Sequence, residues 1–151
     1  MEIPEILHFL GDIYEHRMPF DRLLGVRIVA LTLDEVKVRI DMREELVGNY
    51  IRGILHGGVI SSVLDLTGGL IASVELIKHL HSTEIQELAT RLTRIGTIDL
   101  RVDYLRAGKG DSFIATGSIL RKGNKVAVVR TEMINDKNSL IAAGTGTYLI
   151  G

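Results

Sequence analysis

Residues 53–65 read Gly53-Ile54-Leu55-His56-Gly57-Gly58-Val59-Ile60-Ser61-Ser62-Val63-Leu64-Asp65, and they hold the groups that an acyl-transfer reaction needs. His56-Gly57-Gly58 marks a tight turn entering a long apolar helix. Glycine serves where the backbone needs positive φ or where another group must come close to it. The first amides of the helix have no partner within it and lie at the positive end of its dipole, so Gly57 and Gly58 can hold an oxygen gaining negative charge. Asp65 follows about two turns later among Val59, Ile60, Val63, Leu64, Leu66 and Leu70. A carboxylate in such company is costly to bury unless something pairs with it. An oxyanion-binding helix start followed by an isolated carboxylate describes a candidate acyl-transfer site.

The elements that must position these groups are legible in outline. Pro4 to His16 carries Ile6, Leu7, Leu10 and Ile13 at helical spacing, and Pro19 is expected to end that helix. Two strands follow, about Val26 to Leu33 and Val36 to Met42, joined at Asp34-Glu35; the second alternates apolar and charged residues. Glu44 to Leu55 reads as a loop. The central helix, about Gly58 to His79, is apolar on nearly every side, so other elements must surround it. Gly68-Gly69 inside it costs on the order of 1 kcal/mol per glycine relative to Ala. The expected reason is close approach of sheet backbone or of another subunit. Thr83 to Ile95 is polar and either extends the helix or forms a short one of its own. Four strands complete the chain, about 96–105, 112–121, 125–135 and 139–149, with Lys122-Gly123-Asn124 and Asp136-Lys137-Asn138 as hairpin turns. Consecutive long hairpins predict an antiparallel sheet, and the apolar helix is what it would wrap. The fold class is therefore α+β in one domain spanning residues 1–151.

Composition removes several function classes. Of the 151 residues 46% are hydrophobic and 25% charged, which is globular, and the net charge of −1 gives no field for nucleic acid or an acidic membrane. Aromatic residues are few and tryptophan is missing, so base-stacking platforms are not expected. The absence of cysteine rules out a thiol nucleophile, disulfides and thiolate metal sites. Glu2, Glu5 and Asp12 occupy the start in place of a basic, then apolar, leader, and the apolar run from Val59 to Ile77 is broken by Ser61, Ser62, Asp65 and Glu75. A cytoplasmic protein without membrane insertion is the expectation. Ser61 and Ser62 lack the Gly-x-Ser-x-Gly elbow of serine hydrolases. His79 and His81 beside Glu75 and Glu84 lack metal-site spacing, so no metal is expected, and Gly108-Lys109-Gly110 is a turn rather than a phosphate loop.

Two further stretches, Gly96-Thr97-Ile98-Asp99-Leu100-Arg101-Val102-Asp103-Tyr104-Leu105-Arg106 and Leu140 to Tyr148, join His56-Gly57-Gly58 and Asp65 in a recognisable combination. From about Phe20 to the end, the chain resembles the hotdog-fold acyl-CoA thioesterases of the phenylacetate-pathway type. The resemblance implies a hotdog fold: an antiparallel sheet of about six strands around a long central helix, with a short N-terminal helix. It implies hydrolysis of acyl-CoA, with Asp65 as nucleophile or general base and the Gly57 amide on the thioester carbonyl. His56 would shape the turn, and Thr97 would help position the attacking water. Asn49 matches an asparagine that orients water or substrate, although Asn49-Tyr-Ile-Arg-Gly53 has one residue more than the usual spacing. Gly58, Arg106, Arg121, Lys122 and Lys125 are the candidates for holding CoA, which enters as substrate, so no separate cofactor is implied. The resemblance also implies a homo-oligomer, a dimer with sites at its interface that doubles into a tetramer. A hotdog hydratase or dehydratase and a non-catalytic acyl-CoA-binding module are the alternatives.

Overall fold

The computed structural model describes residues 2–79 and 85–151. Helix α1 (Ile3–Asp12) starts on a reciprocal cap between Glu2 and Glu5 and buries Leu7 and Leu10. A single π turn (Ile13–Arg17) continues it and buries Tyr14. Pro19 does not simply end this arm as expected. It opens a further short helix, α2 (Pro19–Leu24), because the first turn of a helix needs no amide from proline. Gly25, at φ 73°, closes α2 in the left-handed conformation.

Strands β1 (Arg27–Leu31) and β2 (Val36–Asp41) form the first hairpin. The segment expected to be a plain loop holds a 3-10 turn (Glu44–Leu46) and a small ribbon of β3 (Val47–Asn49) and β4 (Ile54–Leu55). The central helix α3 (Gly57–Lys78) follows, and α4 (Ile85–Leu92) is a separate element. Strands β5 (Gly96–Tyr104), β6 (Ser112–Lys122), β7 (Val126–Asn135) and β8 (Leu140–Leu149) complete the chain. The main sheet is antiparallel throughout, in the order β1-β2-β6-β7-β8-β5.

Alternation along the strands sends Val36, Val38 and Ile40 from β2, and Ala127, Val129 and Met133 from β7, to the buried face. They meet Ile60, Val63, Leu64 and Leu70 of α3. Length and composition would let Gly57–Lys78 cross a membrane, but 72% of its most apolar stretch is buried inside the molecule. The sheet is the apolar surround that the helix requires.

The two sheet edges differ. At β1, Glu15 accepts the Ile28 amide and Gly11 of α1 packs on Leu31, so the edge is partly covered. Strand β5 pairs only with β8 among the described residues, and its flank carries exposed Ile98, Tyr104 and Leu105, each at least half accessible. An open apolar edge of this kind is a template for further strand pairing.

Candidate active site

The start of α3 is fixed by its own side chain and by the ribbon before it. His56 has extended backbone angles and its ring Nδ1 accepts the Gly58 amide at 2.7 Å, a histidine serving as N-cap. The His56 amide donates to the Leu46 carbonyl and that of Leu55 to the Gly108 carbonyl, at 2.8 Å each. Gly48 lies so close that a Cβ there would be 2.6 Å from the His56 Cα. Gly58, expected among the substrate-holding amides, is therefore occupied by His56. The Gly57 amide has no acceptor among the described residues. Tyr104, at the far end of β5, donates its hydroxyl to the Gly57 carbonyl at 3.1 Å and screens this turn.

Asp65 is half-buried and not isolated. Thr97 Oγ1 donates to its Oδ1 at 2.7 Å, and the Tyr148 hydroxyl lies 3.0 Å from its backbone oxygen and 3.3 Å from Oδ1. Thr97 reaches it through an irregularity in β5. Strict alternation would place Thr97 on the opposite face from Leu100, Val102 and Tyr104. The register slips between Thr97 and Asp99 against β8, so Ile98 bulges outward and Thr97 joins Tyr104 in facing α3. Ile98, which alternation groups with Leu100, Val102 and Tyr104, is 57% exposed.

Tyr148 is the site residue that the sequence reading missed. It is 1% exposed, and its ring lies in a slot made by two glycines. A Cβ on Gly68 would collide with the Tyr148 hydroxyl, and a Cβ on Gly146 would stand 2.6 Å from the ring. Gly69 is approached by the Tyr14 hydroxyl, 3.3 Å from its would-be Cβ. Side chains, not sheet backbone or a second subunit, thus explain Gly68-Gly69. Burial first, and then the charge and hydrogen bond of Asp65, push the Tyr148 pKa well above the phenolic range. It stays a donor at any working pH. Burial likewise pushes Tyr14 up to about 12. The signal that could have found Tyr148 is Gly144-Thr-Gly146-Thr-Tyr148, where glycines on alternate positions clear one strand face for a large ring.

The remaining candidates are dispersed. Asn49 Oδ1 accepts the Arg52 amide at 3.2 Å and its carbonyl accepts that of Gly53, so Asn49 closes the turn that holds the extra residue. Arg106 donates to the Leu140 carbonyl beyond the Tyr104 end of β5. Arg121, Lys122 and Lys125 lie around the β6–β7 hairpin, beside Leu149 and hence beside the Thr97 end. One chain therefore holds these basic groups at opposite ends of its sheet. His79 pairs with Glu75 at 2.9 Å, while His81 and Glu84 lie outside the described residues. Among the described residues, no cluster of three or more His, Asp or Glu is arranged for a metal.

A helix-start amide without an acceptor among the described residues and a carboxylate held by two hydroxyls are groups of the kind that thioester cleavage uses. Residues 52–142, more than half of the chain, match the thioesterase superfamily. The chain belongs to that superfamily. It is 42% identical over 147 residues to the medium/long-chain acyl-CoA thioesterase YigI of Escherichia coli K12, covering 97% of this chain and 95% of that one. A Shewanella oneidensis structure related to the superfamily superposes with a TM-score of 0.95 at 46% identity, covering 98% and 97% of the two chains. A thioesterase family protein from Silicibacter pomeroyi shares the fold alone, with a TM-score of 0.74 at 22% identity over 96% and 99% of the chains. The expected antiparallel hotdog architecture is what this superfamily member has.

Proposed function

We propose that the protein hydrolyses acyl-CoA thioesters to a carboxylic acid and CoA, as a hotdog enzyme of the phenylacetate-pathway type. The observation that carries this reading is Asp65 held by Thr97 and Tyr148 on the same helix whose first amide, Gly57, has no acceptor among the described residues. Asp65 takes a proton from water, and the water oxygen attacks the carbonyl carbon. The Gly57 amide holds the resulting oxyanion; such a donor is worth roughly 3–4 kcal/mol of transition-state stabilisation. The carbon–sulfur bond then breaks, the sulfur leaves as thiolate and is protonated to CoA, and the acid departs. Water and the chain's own residues suffice, so no cofactor takes part. His56 fixes the turn, and Asn49 orients the loop beside it.

Gly57 and Asp65 cannot serve one carbonyl within one chain, because eight helical residues separate them by about 12 Å. Gly57 lies by the Tyr104 end of β5 and Asp65 by the Thr97 end. Antiparallel pairing of two β5 edges about Leu100 and Arg101 would set Asp65 against the partner's Gly57. The same pairing would bring the partner's Arg106 to the side of Arg121, Lys122 and Lys125, where CoA phosphates would be met. We therefore infer a homodimer with shared sites, doubled into a tetramer, acting in the cytoplasm on medium or long acyl-CoA as the YigI name indicates for that relative.

Asp65→Asn keeps the shape of the site and removes its base. It should bind acyl-CoA and release almost no thiol; near-wild-type turnover would refute the assignment. Enoyl-CoA consumed without thiol release would favour the hydratase, and neither outcome with retained binding would favour the binding module. Sedimentation showing a fully active 16.7 kDa monomer would refute the shared site.

A further inference from the structure

Two glycines at the start of α3 leave the backbone there with wide conformational freedom. An amide that stabilises an oxyanion must already point the right way before charge develops, so this freedom has to be removed. One peptide group, that joining Gly57 to Gly58, is where it is removed. Its N–H, on Gly58, donates to His56 Nδ1 at 2.7 Å, and its C=O, on Gly57, accepts the Tyr104 hydroxyl at 3.1 Å. The plane is held at both poles by side chains from different elements.

The preceding peptide, joining His56 to Gly57, carries the amide without an acceptor among the described residues. Its carbonyl, on His56, accepts the Val59 and Ile60 amides at 3.0 and 3.2 Å. Only the φ and ψ of Gly57 lie between these two planes. With each plane pinned, the Gly57 N–H keeps one direction. His56 is local to the turn, whereas Tyr104 comes from the end of β5, where it pairs with Ala142 of β8. Its ring lies against Gly57, with Cε1 3.4 Å from the position a Cβ would take, although the residue is 54% exposed. A hydroxyl so placed has water within reach, yet it is given to the carbonyl. That donation polarises the peptide group and strengthens the N–H that His56 accepts, so the two contacts support one another.

We propose that Tyr104 is a positioning residue for the reaction, which with His56 clamps the Gly57–Gly58 peptide and so aims the Gly57 amide at the thioester carbonyl. This rests on the hydrolase reading above. Tyr104 touches no reacting atom. It ties the oxyanion donor to β5, so the sheet as well as the helix sets the direction of that amide.

Tyr104→Phe removes the hydroxyl and keeps the ring, at a position outside the buried core. Thiol release from acyl-CoA should show kcat lower by about two- to tenfold, the range of one neutral hydrogen bond, with KM little changed. Hydrogen exchange of the Gly58 amide should quicken by a similar factor, a readout that needs no turnover. His56→Ala should lower kcat too, and His56→Asn, whose side-chain oxygen accepts such an amide, should recover part of the loss. Tyr104→Phe with His56→Ala should lose less than the product of the single losses, because either change alone releases the plane. In Asp65→Asn, which removes turnover, the carbonyl band of bound isotope-labelled acyl-CoA should lie below its position in solution, and adding Tyr104→Phe should move it back. Wild-type kcat and Gly58 exchange in Tyr104→Phe, multiplicative losses in the double variant, or a carbonyl band that stays in place would each overturn the clamp. Failure of the wild-type protein to release thiol from every acyl-CoA would instead overturn the reading on which the proposal rests, and Gly58 exchange would still decide whether the clamp exists.

Discussion

Tyr148→Phe removes one oxygen from a ring that the Gly68–Gly146 slot continues to hold, so what it tests is the hydroxyl itself. That hydroxyl makes two contacts with Asp65, at 3.0 Å to the backbone oxygen and 3.3 Å to Oδ1. A net hydrogen bond between neutral groups contributes about 0.5–1.5 kcal/mol, and one to a charged group about 1.5–3 kcal/mol. The contact to Oδ1 is at the long end of hydrogen-bond distances, so the lower figure applies. Loss of about 1.5 kcal/mol of transition-state stabilisation raises the barrier by that amount, close to a tenfold drop in kcat. The bond to the backbone oxygen adds about 1 kcal/mol of stability, lost whether or not substrate is present. Thiol release from acyl-CoA, followed with a thiol reagent, should therefore show kcat about tenfold lower and KM little changed, because Tyr148 positions Asp65 and does not hold CoA. A urea melt should show the smaller stability loss. Gly68→Ala should do worse on both counts, since its methyl displaces the ring that the hydroxyl depends on. Wild-type kcat in Tyr148→Phe, alongside lowered stability, would mean the tyrosine is packing only.

Asp21 is 4% exposed, its Oδ2 has no hydrogen-bond partner among the described residues, and burial raises its pKa from 3.8 to about 6. The folded state then holds its proton more tightly than the unfolded chain, so stability present below pH 4 is lost as pH rises through 6, by about 2–3 kcal/mol. Urea melts should find Asp21→Asn more stable than wild type at pH 8 with no such gain at pH 4, and a pH-independent difference would contradict the argument. Lys122→Ala with Lys125→Ala should raise the KM for acyl-CoA and flatten its salt dependence, since phosphate contacts at an exposed hairpin are screened. The pair should leave hydrolysis of a short pantetheine thioester unaltered; equal losses on both substrates would assign the hairpin to assembly.

Local pattern made much of this molecule readable, and its failures have local causes. The strands β2 and β7 alternate because one face is buried, and the apolar circumference of α3 announces a helix that is surrounded. Pro19 was read for what proline ends, whereas the same missing amide lets it begin α2. Thr97 could be marked as a candidate by motif, but period-two logic puts it on the wrong face, and only a bulge re-aims it. Nothing in a residue string announces a bulge at Ile98. The buried charge of Asp21 depends on α2, which was itself missed.

The site shows why residue type and spacing reached its two ends but not what joins them. Gly57 and Asp65 belong to one continuous segment, so their spacing is written in the chain. Thr97 and Tyr148 come from strands 32 and 83 residues further on and meet Asp65 only because β5 and β8 pair with Thr97 opposite Tyr148. That register places both hydroxyls at one end of the sheet and leaves Gly57 at the other, beside Tyr104. The bond network that holds the carboxylate is thus complete within one chain, while in the proposed mechanism the amide that faces it comes from a second copy. In the proposed dimer, the separation of Gly57 from Asp65 by about 12 Å along the helix would make catalysis depend on the open β5 edge. Association then acts on activity through geometry, and weakening that edge should reduce kcat without altering the Thr97–Asp65–Tyr148 contacts within each chain.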